Sequence, residues 1–169
     1  MEYDSSRAGT ESGGAVAVET VAGPGPSLDA VRELMGEYGR HPGIEPCIVG
    51  FDAELAGLPG SYAAPGGTLL LARLGGRPVG CVAVRRLDAG RCEMKRLYVR
   101  PAFRAAGIGI LLAQEAIGWA RRAGYRVILL DTLPAMRAAR TVYELLGFRP
   151  CAPFLAEPTP GADCYSLDL

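Results

Sequence analysis

The stretch RCEMKRLYVRPAFRAAGIGILLAQEAIGWA, residues 91–120, passes from a strand pattern directly into a helix pattern. Its first part is rich in β-forming side chains and ends just before Pro101. From residue 108 to residue 123 the apolar side chains recur at helical spacing on one face, namely Leu112, Ala116, Trp119, Ala120 and Ala123. A continuous apolar run follows at 127–130, as expected of a strand that is buried on both faces. These elements predict a β-α-β unit whose two strands lie parallel.

Two strand candidates precede this unit and form an antiparallel meander with its first strand. Residues 68–74 (TLLLARL) lead into Gly75-Gly76, which is typical of a tight hairpin. Residues 78–86 (PVGCVAVRR) lead into a turn at 88–90.

One strand candidate and two helix candidates come before the meander. Residues 15–21 are β-like, and Ser27 is placed to act as the N-cap of a helix that runs to about Gly39. Its apolar stripe consists of Leu28, Val31, Leu34 and Met35. A short second helix is predicted over residues 51–58, where Pro59-Gly60 stops it.

After the β-α-β unit the chain has a helix candidate at 135–146 and strand candidates at 148–151 and 164–169. The helix carries a stripe of Met136, Ala139, Tyr143 and Leu146, with Gly147 as its terminator. The resulting order is β-α-α-β-β-β-α-β-α-β-β. It predicts an α+β fold with a mixed sheet, antiparallel in its N-terminal meander and parallel at its central pair, flanked by helices.

Length and composition favour one domain. The chain has 169 residues, and residues 1–14 are polar, rich in Gly and Ser and without periodicity. We therefore expect a disordered tail at 1–14 and a single domain at 15–169. The 23 glycines and 13 prolines are too many for a helical bundle with few loops and too unpatterned for collagen.

The formal net charge of zero hides an uneven distribution along the chain. Residues 1–90 carry 7 basic and 11 acidic side chains, residues 91–140 carry 10 and 3, and residues 141–169 carry 1 and 4. A basic middle between acidic flanks indicates a local anion site and not a general nucleic-acid surface. The basic cluster is short and has no interleaved aromatic side chains, so we expect no nucleic-acid partner.

Cysteine and histidine usage excludes several kinds of site. The five cysteines show no C-x-x-C spacing, and His41 is the single histidine, which argues against a zinc site and against a histidine-based triad. We interpret His41 as a loop residue and the cysteines as reduced thiols. The chain has no apolar run of 18 residues and no signal-peptide pattern, so we expect no membrane contact and a cytoplasmic location.

The connection between strand and helix carries the clearest functional signal. Arg104, Gly107 and Gly109 form R-x-x-G-x-G at the predicted helix N-terminus. A helix start offers unpaired backbone N–H groups and a positive dipole end, which suit a phosphate group, and small residues permit close approach. Arg96 and Arg100 lie just upstream and extend the basic segment predicted to face the ligand. A Walker A loop and a Rossmann fingerprint both fail on spacing.

This region resembles the GNAT superfamily of acyl-CoA-dependent N-acyltransferases. Arg104, Gly107 and Gly109 match the family's R/Q-x-x-G-x-G/A loop, and EMKRLYV resembles its fourth strand. The family's A-x-x-x-Y-x-x-x-G-F signature is matched by Ala139, Tyr143, Gly147 and Phe148. The resemblance covers about residues 15–169.

The resemblance implies acetyl-CoA as co-substrate, without a metal. The amides that would hold the pyrophosphate belong to Ala105, Ala106, Gly107, Ile108, Gly109 and Ile110. The backbone of Leu97 and Val99, on either side of Tyr98, would pair with the pantetheine arm, and Ala139 would also contact CoA. Relatives often carry Gly and a basic residue where this chain has Ala105 and Ala106, and Asn where it has Met136, so some CoA contacts are expected to be weaker.

Two residues are candidates for the chemistry of acyl transfer. Glu93 stands where several relatives carry a general base, and the alternative is a carboxylate that balances Lys95 or Arg96. Tyr143 stands where the family commonly places a general acid beside the sulfur of CoA, and the alternative is a core tyrosine. Tyr62 is either a lining residue of the acceptor pocket or a structural aromatic.

The sequence thus predicts an N-acetyltransferase that moves an acetyl group from acetyl-CoA to an amine by direct attack in a ternary complex. The alternative is a non-catalytic acyl-CoA-binding or regulatory module. The acceptor is expected to be a small-molecule or peptide amine. The acidic first 90 residues favour a cationic one. A homodimer is possible.

Overall fold

The structure is a computed structural model that describes residues 14–169. Apart from Gly14, the predicted tail at 1–14 therefore lies outside the described residues. The described strands are β1 Val16–Thr20, β2 Thr68–Leu74, β3 Arg77–Arg86, β4 Arg91–Val99, β5 Val127–Thr132, β6 Arg149–Cys151 and β7 Asp163–Asp168. The described α-helices are α1 Pro26–Gly39, α2 Phe51–Ala56, α3 Ile108–Arg122 and α4 Arg137–Leu145. The predicted order of strands and helices is confirmed.

A single mixed sheet in the order β1-β2-β3-β4-β5-β7-β6 organises these elements. The pairs β1–β2, β2–β3 and β3–β4 are antiparallel, whereas β4 and β5 are parallel because α3 returns the chain across the sheet. β7 lies between β5 and β6 and is antiparallel to both. The predicted α+β fold with an antiparallel meander and a parallel central pair is confirmed.

The sheet separates two hydrophobic cores. On one face α3 packs with side chains such as Leu112 and Ala116 against Val82 and Ile128. On the other face α1 packs its predicted stripe of Leu28, Val31, Leu34 and Met35, all buried, against β2 and β3. Successive side chains of a strand point to opposite faces of the sheet, and here each face is covered by a hydrophobic core. This is why β2 and β3 are almost continuously apolar.

Two local predictions are wrong. Ser27 is not an N-cap, because α1 begins one residue earlier at Pro26, whose fixed φ and missing N–H suit the first helical position. The Ser27 hydroxyl instead donates a 2.8 Å hydrogen bond to Glu19. Ala123 is exposed, because α3 ends at Arg122 and the chain turns away from the core there.

Three short 3-10 segments that the periodicity did not predict lie at Glu45–Cys47, Gly60–Tyr62 and Pro101–Ala106. The last of these separates β4 from α3. Over residues 14–169, the helices all fall short of the length and apolar character that a membrane crossing requires.

Candidate active site

The central parallel pair of strands separates soon after it forms. β4 and β5 are in register only at Arg91–Val127, Cys92–Ile128 and Glu93–Leu129. Beyond this point β4 contains a bulge, marked by a slip in its register with β3 and by a positive φ of 58° at Arg96. A bulge bends its strand and increases the local twist, so the second half of β4 turns away from β5.

The opening between the strands exposes one edge of β4. The Arg100 amide donates to the Val79 carbonyl, and Tyr98 is in register with Cys81. Because backbone groups in an antiparallel pair alternate in direction, those of Leu97 and Val99 point away from β3, into the opening. This edge is the place where an extended ligand can add its own hydrogen bonds.

A groove of about 430 Å³ runs along this edge. Its walls come from the end of α1 and the loop after it, from β4, from the start of α3 and from α4. They include Tyr38, His41, Ile44, Leu97, Tyr98, Val99, Arg104, Gly109, Met136, Ala139 and Val142. The groove thus brings together six of the predicted CoA-binding residues, namely Leu97, Tyr98, Val99, Arg104, Gly109 and Ala139.

The loop at the end of the groove has a backbone that suits an anion. Gly107 has a φ of 74° and caps the N-terminus of α3, so the first amides of the helix are unpaired by helix geometry. A Cβ placed on Gly109 would meet only the Val99 side chain, at an ordinary 3.8 Å, so protein packing does not demand glycine there. The space that this glycine leaves faces the groove and permits close approach of a ligand.

The remaining loop residues would contact an anion through their backbone amides and not through their side chains. Ala105 and Ala106 are exposed in the 3-10 segment, and Ile110 is half-buried. Ile108 is fully buried in the α3 core, so its side chain anchors the helix start.

Arg104 is held in place by the protein itself. Its Nε donates to the Val99 carbonyl at 2.9 Å, and its guanidinium lies 5.8 Å from the centre of the Tyr98 ring. Its terminal nitrogen is 3.1 Å from Nε2 of His41, which packs edge-on against Tyr98. Sequence reasoning treated His41 as an ordinary loop residue. Its position beside Arg104 depends on α1, which no local motif reveals.

Arg96 and Arg100 do not belong to the predicted anion site. Arg96 is buried on the α1 face, where it forms two hydrogen bonds with Glu54, of 2.9 and 2.7 Å. Arg100 is ion-paired with Glu37 at 2.6 Å and with Glu33 at 2.7 Å. The basic segment is therefore partly neutralised by the acidic N-terminal region, because strand alternation turns these side chains toward α1 and α2.

A smaller cavity of about 30 Å³ lies where β4 and β5 separate. It shares Tyr38, Leu97 and Met136 with the groove, so the two spaces adjoin. Its other lining residues are Cys47, Met94, Lys95, Arg96, Asp131, Thr132, Tyr143 and Thr159. The cavity has room for about one water molecule or one amino group.

Tyr143 reaches this cavity from α4. The side chain is 6% exposed and packs edge-on against Phe148 with ring centres 5.8 Å apart. Burial raises the pKa of the Tyr143 hydroxyl well above its usual range, and Tyr38 and Asp131 add to the effect. The phenol is therefore protonated over the whole neutral range and is able to donate its proton.

Glu93 is fully buried and does not line the cavity or the groove. Its Oε2 accepts a 2.6 Å hydrogen bond from Arg85 on the paired strand, and its Oε1 lies 3.6 Å from the Lys95 ammonium. Within the described residues, Glu93 Oε1 has no hydrogen-bond partner. The carboxylate is therefore held mainly by Arg85, with Lys95 at longer range.

Tyr62 matches its structural alternative. Its side chain is buried, and its hydroxyl donates a 2.7 Å hydrogen bond to the same Glu54 carboxylate that holds Arg96. Met136 lines both the groove and the small cavity, and its sulfur accepts a 3.8 Å contact from the Thr132 hydroxyl.

Comparisons with known proteins agree with this geometry. Residues 30–148 match the family described as "Acetyltransferase (GNAT) family". The chain is 37% identical over 144 residues to an uncharacterized N-acetyltransferase of Schizosaccharomyces pombe, covering 84% of this chain and 88% of that protein.

Two solved structures show the shared fold. An acetyltransferase of Streptococcus agalactiae superposes with a TM-score of 0.75 at 18% identity, covering 91% of this chain and 98% of that one. The PaiA N-acetyltransferase of Thermoplasma acidophilum, solved in complex with coenzyme A, superposes with a TM-score of 0.71 at 15% identity, covering 92% and 99%. The chain belongs to the GNAT acetyltransferase family.

Proposed function

We propose that this protein transfers an acetyl group from acetyl-CoA to an amine by direct attack in a ternary complex. The observation that carries the proposal is that the groove along the open edge of β4 adjoins the cavity at Tyr143. A thioester that follows this edge would end where the strands separate, beside a protonated phenol. The coenzyme A complex of the Thermoplasma relative supports this choice of co-substrate.

The described residues fit coenzyme A. The amides of Ala105, Ala106, Gly107, Ile108, Gly109 and Ile110 would bind the pyrophosphate, with Arg104 adding positive charge. The backbone of Leu97 and Val99 would pair with the pantetheine arm, and Tyr98 and Ala139 would flank it. The Val99 carbonyl already accepts from Arg104, so its amide is the free partner of this residue for the arm.

Tyr143 is proposed as the general acid. Attack forms a bond from the acceptor nitrogen to the carbonyl carbon and breaks the carbon–sulfur bond. The Tyr143 hydroxyl gives its proton to the departing sulfur. Burial keeps the hydroxyl protonated at neutral pH, so the proton is present when the carbon–sulfur bond breaks.

Glu93 was predicted as general base, but its surroundings support a different role. A carboxylate that is enclosed and hydrogen-bonded to Arg85 is poorly placed to take a proton from a substrate in the cavity. We propose that Glu93 positions Lys95. The alternative role of Glu93 as general base is tested with a Glu93→Gln variant.

The test is acetyl transfer measured by thiol release over a panel of amines. Tyr143→Phe is expected to lower kcat by about 100-fold, since a general acid typically contributes 10²–10⁴-fold, while CoA affinity stays unchanged. Tyr125→Phe is the matched control, because this buried tyrosine donates its hydroxyl to the Gly66 carbonyl, away from both cavities.

Several outcomes would redirect the proposal. A loss of less than threefold in Tyr143→Phe would remove the general-acid role. A loss of more than 100-fold in Glu93→Gln with unchanged stability would restore that residue as base. Coenzyme A binding without turnover on any amine would favour the non-catalytic acyl-CoA-binding module.

Location and assembly stay predictions. The five cysteines are all free thiols in the structure, which fits the proposed cytoplasmic location. A homodimer is tested by light scattering of the full chain.

A further inference from the structure

We propose that the acceptor is an amine that also bears a carboxylate, with its amino group at Asp131 and its carboxylate at Lys95. The inference rests on the proposed acetyl transfer and names the acceptor class for that same site. It starts from two opposite charges that line the small cavity from the two separated strands. Because this cavity takes about one amino group, only the acceptor nitrogen would enter it, and the carboxylate would meet the Lys95 ammonium at its edge.

Asp131 supplies the negative charge. It lies on β5 beyond the last residue in register with β4, and it is the acidic side chain among those that line the cavity. Thr159 donates a 2.5 Å hydrogen bond to its Oδ2. Within residues 14–169 no basic group lies at ion-pair distance from Asp131, in contrast to Glu93, Glu54 and Glu37.

Lys95 supplies the positive charge. It is the chain's single lysine, and its side chain is only 15% exposed. Its nearest described acidic partner is Glu93 at 3.6 Å, which is too long for a hydrogen bond and which is shared with Arg85 at 2.6 Å. An ammonium has three donors, and the 3.6 Å contact with Glu93 uses none of them in a hydrogen bond, so this group is suited to an acceptor from a ligand.

The local charge balance favours an anion at Lys95. Arg85 on β3 and Lys95 on β4 together face the single carboxylate of Glu93, which leaves one positive charge in excess on this part of the two strands. Arg96 does not alter the balance because Glu54 pairs with it. A ligand carboxylate would balance the positive charge of Lys95 on β4, and a ligand ammonium would balance the negative charge of Asp131 on β5.

The expectation of a cationic acceptor rested on the acidic first 90 residues. Six of their carboxylates are ion-paired within the described residues, namely Glu19, Asp29, Glu33, Glu37, Glu54 and Asp88. These groups do not offer free negative charge to an acceptor. Asp131, which lies outside that region of the sequence, is the carboxylate that faces the cavity.

The proton balance of transfer is consistent with this arrangement. The acceptor enters as an ammonium, and one of its protons passes to Asp131 and then to solvent, which frees the lone pair. The nitrogen then bonds to the carbonyl carbon and the carbon–sulfur bond breaks. Tyr143 protonates the sulfur and regains a proton from the nitrogen, so the products are an amide, a thiol and one released proton.

The experiment compares acceptors that differ only in the carboxylate. Glycine, β-alanine and γ-aminobutyrate are each assayed against the corresponding carboxamide, with acetyl-CoA saturating and thiol release as the readout. The series varies the distance between amine and carboxylate. For at least one pair, kcat/KM of the acid is expected to exceed that of its amide by about tenfold or more, because a charged hydrogen-bond pair is lost in the amide.

Two Lys95 variants test the assignment. Lys95→Gln is expected to bring the acid-to-amide ratio to about one, chiefly through KM of the acid, whereas Lys95→Arg retains a preference for the acid. Arg122→Gln, which removes an exposed charge on α3, is the matched control and leaves the ratio unchanged. Thermal unfolding of each variant verifies that it is folded.

Asp131→Asn tests the other end of the site and is expected to lower kcat/KM for acids and amides alike, by about tenfold or more. Equal rates of wild type on acids and amides, or an unchanged ratio in Lys95→Gln, would overturn the acceptor class and leave the proposed acetyl transfer intact. Absence of turnover on all six compounds and on a wider amine panel would instead overturn the proposed function, and the acceptor class with it.

Discussion

At the scale of single residues, two glycines of one motif serve different purposes. Gly107 has a φ of 74°, a conformation that costs a residue with a Cβ roughly 1–2 kcal/mol. Gly109 lies inside the first turn of α3, where its added Cβ would fit against Val99 without strain. The first glycine shapes the loop, and the second keeps space free beside the groove.

This difference predicts opposite behaviour of two alanine variants. Gly107→Ala is expected to lower the free energy of unfolding by about 1–2 kcal/mol. Gly109→Ala is expected to leave that free energy unchanged or raise it by up to about 1 kcal/mol, since Ala is the better helix former, yet to weaken CoA binding. Urea denaturation and calorimetric titration with CoA measure the two effects. Equal CoA affinity of Gly109→Ala and wild type would contradict the role assigned to Gly109.

Buried thiols provide a second residue-scale prediction. Burial raises the pKa of Cys81 and of Cys92 to about 12, and neither side chain has measurable exposure. Since the thiolate is the reactive form, both should resist a disulfide reagent at pH 8 until the protein unfolds. Cys151, half-exposed on β6, serves as the accessible comparison. Fast reaction of more than three of the five cysteines in the folded protein would contradict this burial.

At the scale of elements, the bulge in β4 is tied to α2 by a buried ion pair. Arg96 sits at the bulge with its positive φ, and its guanidinium bonds to Glu54 and to the Cys47 carbonyl. The ring of Phe51 lies 4.8 Å below the guanidinium. The bulge that opens the sheet is thus stabilised by the short helix that covers it.

This ion pair predicts a dependence of stability on pH. Burial by itself raises the pKa of Glu54, but the hydrogen bonds and charge of Arg96 outweigh it and hold the pKa below its usual range. A carboxyl whose folded pKa is lowered stabilises the protein above its unfolded pKa of about 4.3, and this contribution is lost as the pH falls through the folded value.

Glu54→Gln should therefore be less stable than wild type at pH 7 and should lose less of its remaining stability between pH 6 and pH 3. Denaturant unfolding at each pH measures the two slopes. Glu115→Gln, an exposed change on α3, is the matched control. Parallel slopes for Glu54→Gln and wild type would show that the pair does not control acid stability.

At the scale of the whole molecule, the groove depends on elements far apart in sequence. Its walls include the end of α1, the second half of β4, the start of α3 and one face of α4. A ligand that contacts all four stabilises the folded chain as a unit, because it binds the native state and not the unfolded one.

Coenzyme A should therefore raise the unfolding temperature. At a concentration 100 times Kd the stabilisation is about 2.7 kcal/mol, which corresponds to roughly 5–11 °C for a domain of this size. Tyr143→Phe should keep the full shift, because its hydroxyl is assigned to the chemistry and not to binding. Differential scanning calorimetry provides the measurement, and the absence of any shift at millimolar CoA would contradict the assignment of the groove.

The local signals in the sequence predicted the elements well. Apolar periodicity and the breakers Gly75-Gly76 and Gly147 placed the strands and helices, because these signals act over a few residues. The glycine pattern at 107–109 located the loop for the same reason. Ser27 was assigned wrongly because Pro26 competes for the helix start within that same local window.

The sequence by itself determined the α+β order, the loop before α3 and the family motif, since each is written in neighbouring residues. Only the tertiary structure decided which charges are free. It joined Arg96 to Glu54 and Arg100 to Glu37 across 42 and 63 positions, and it enclosed Glu93 beside Arg85. It also brought His41 to Arg104 and set Lys95 and Asp131 around one cavity. Charge pairing depends on distance in space, and strand alternation and the bulge of β4 set those distances.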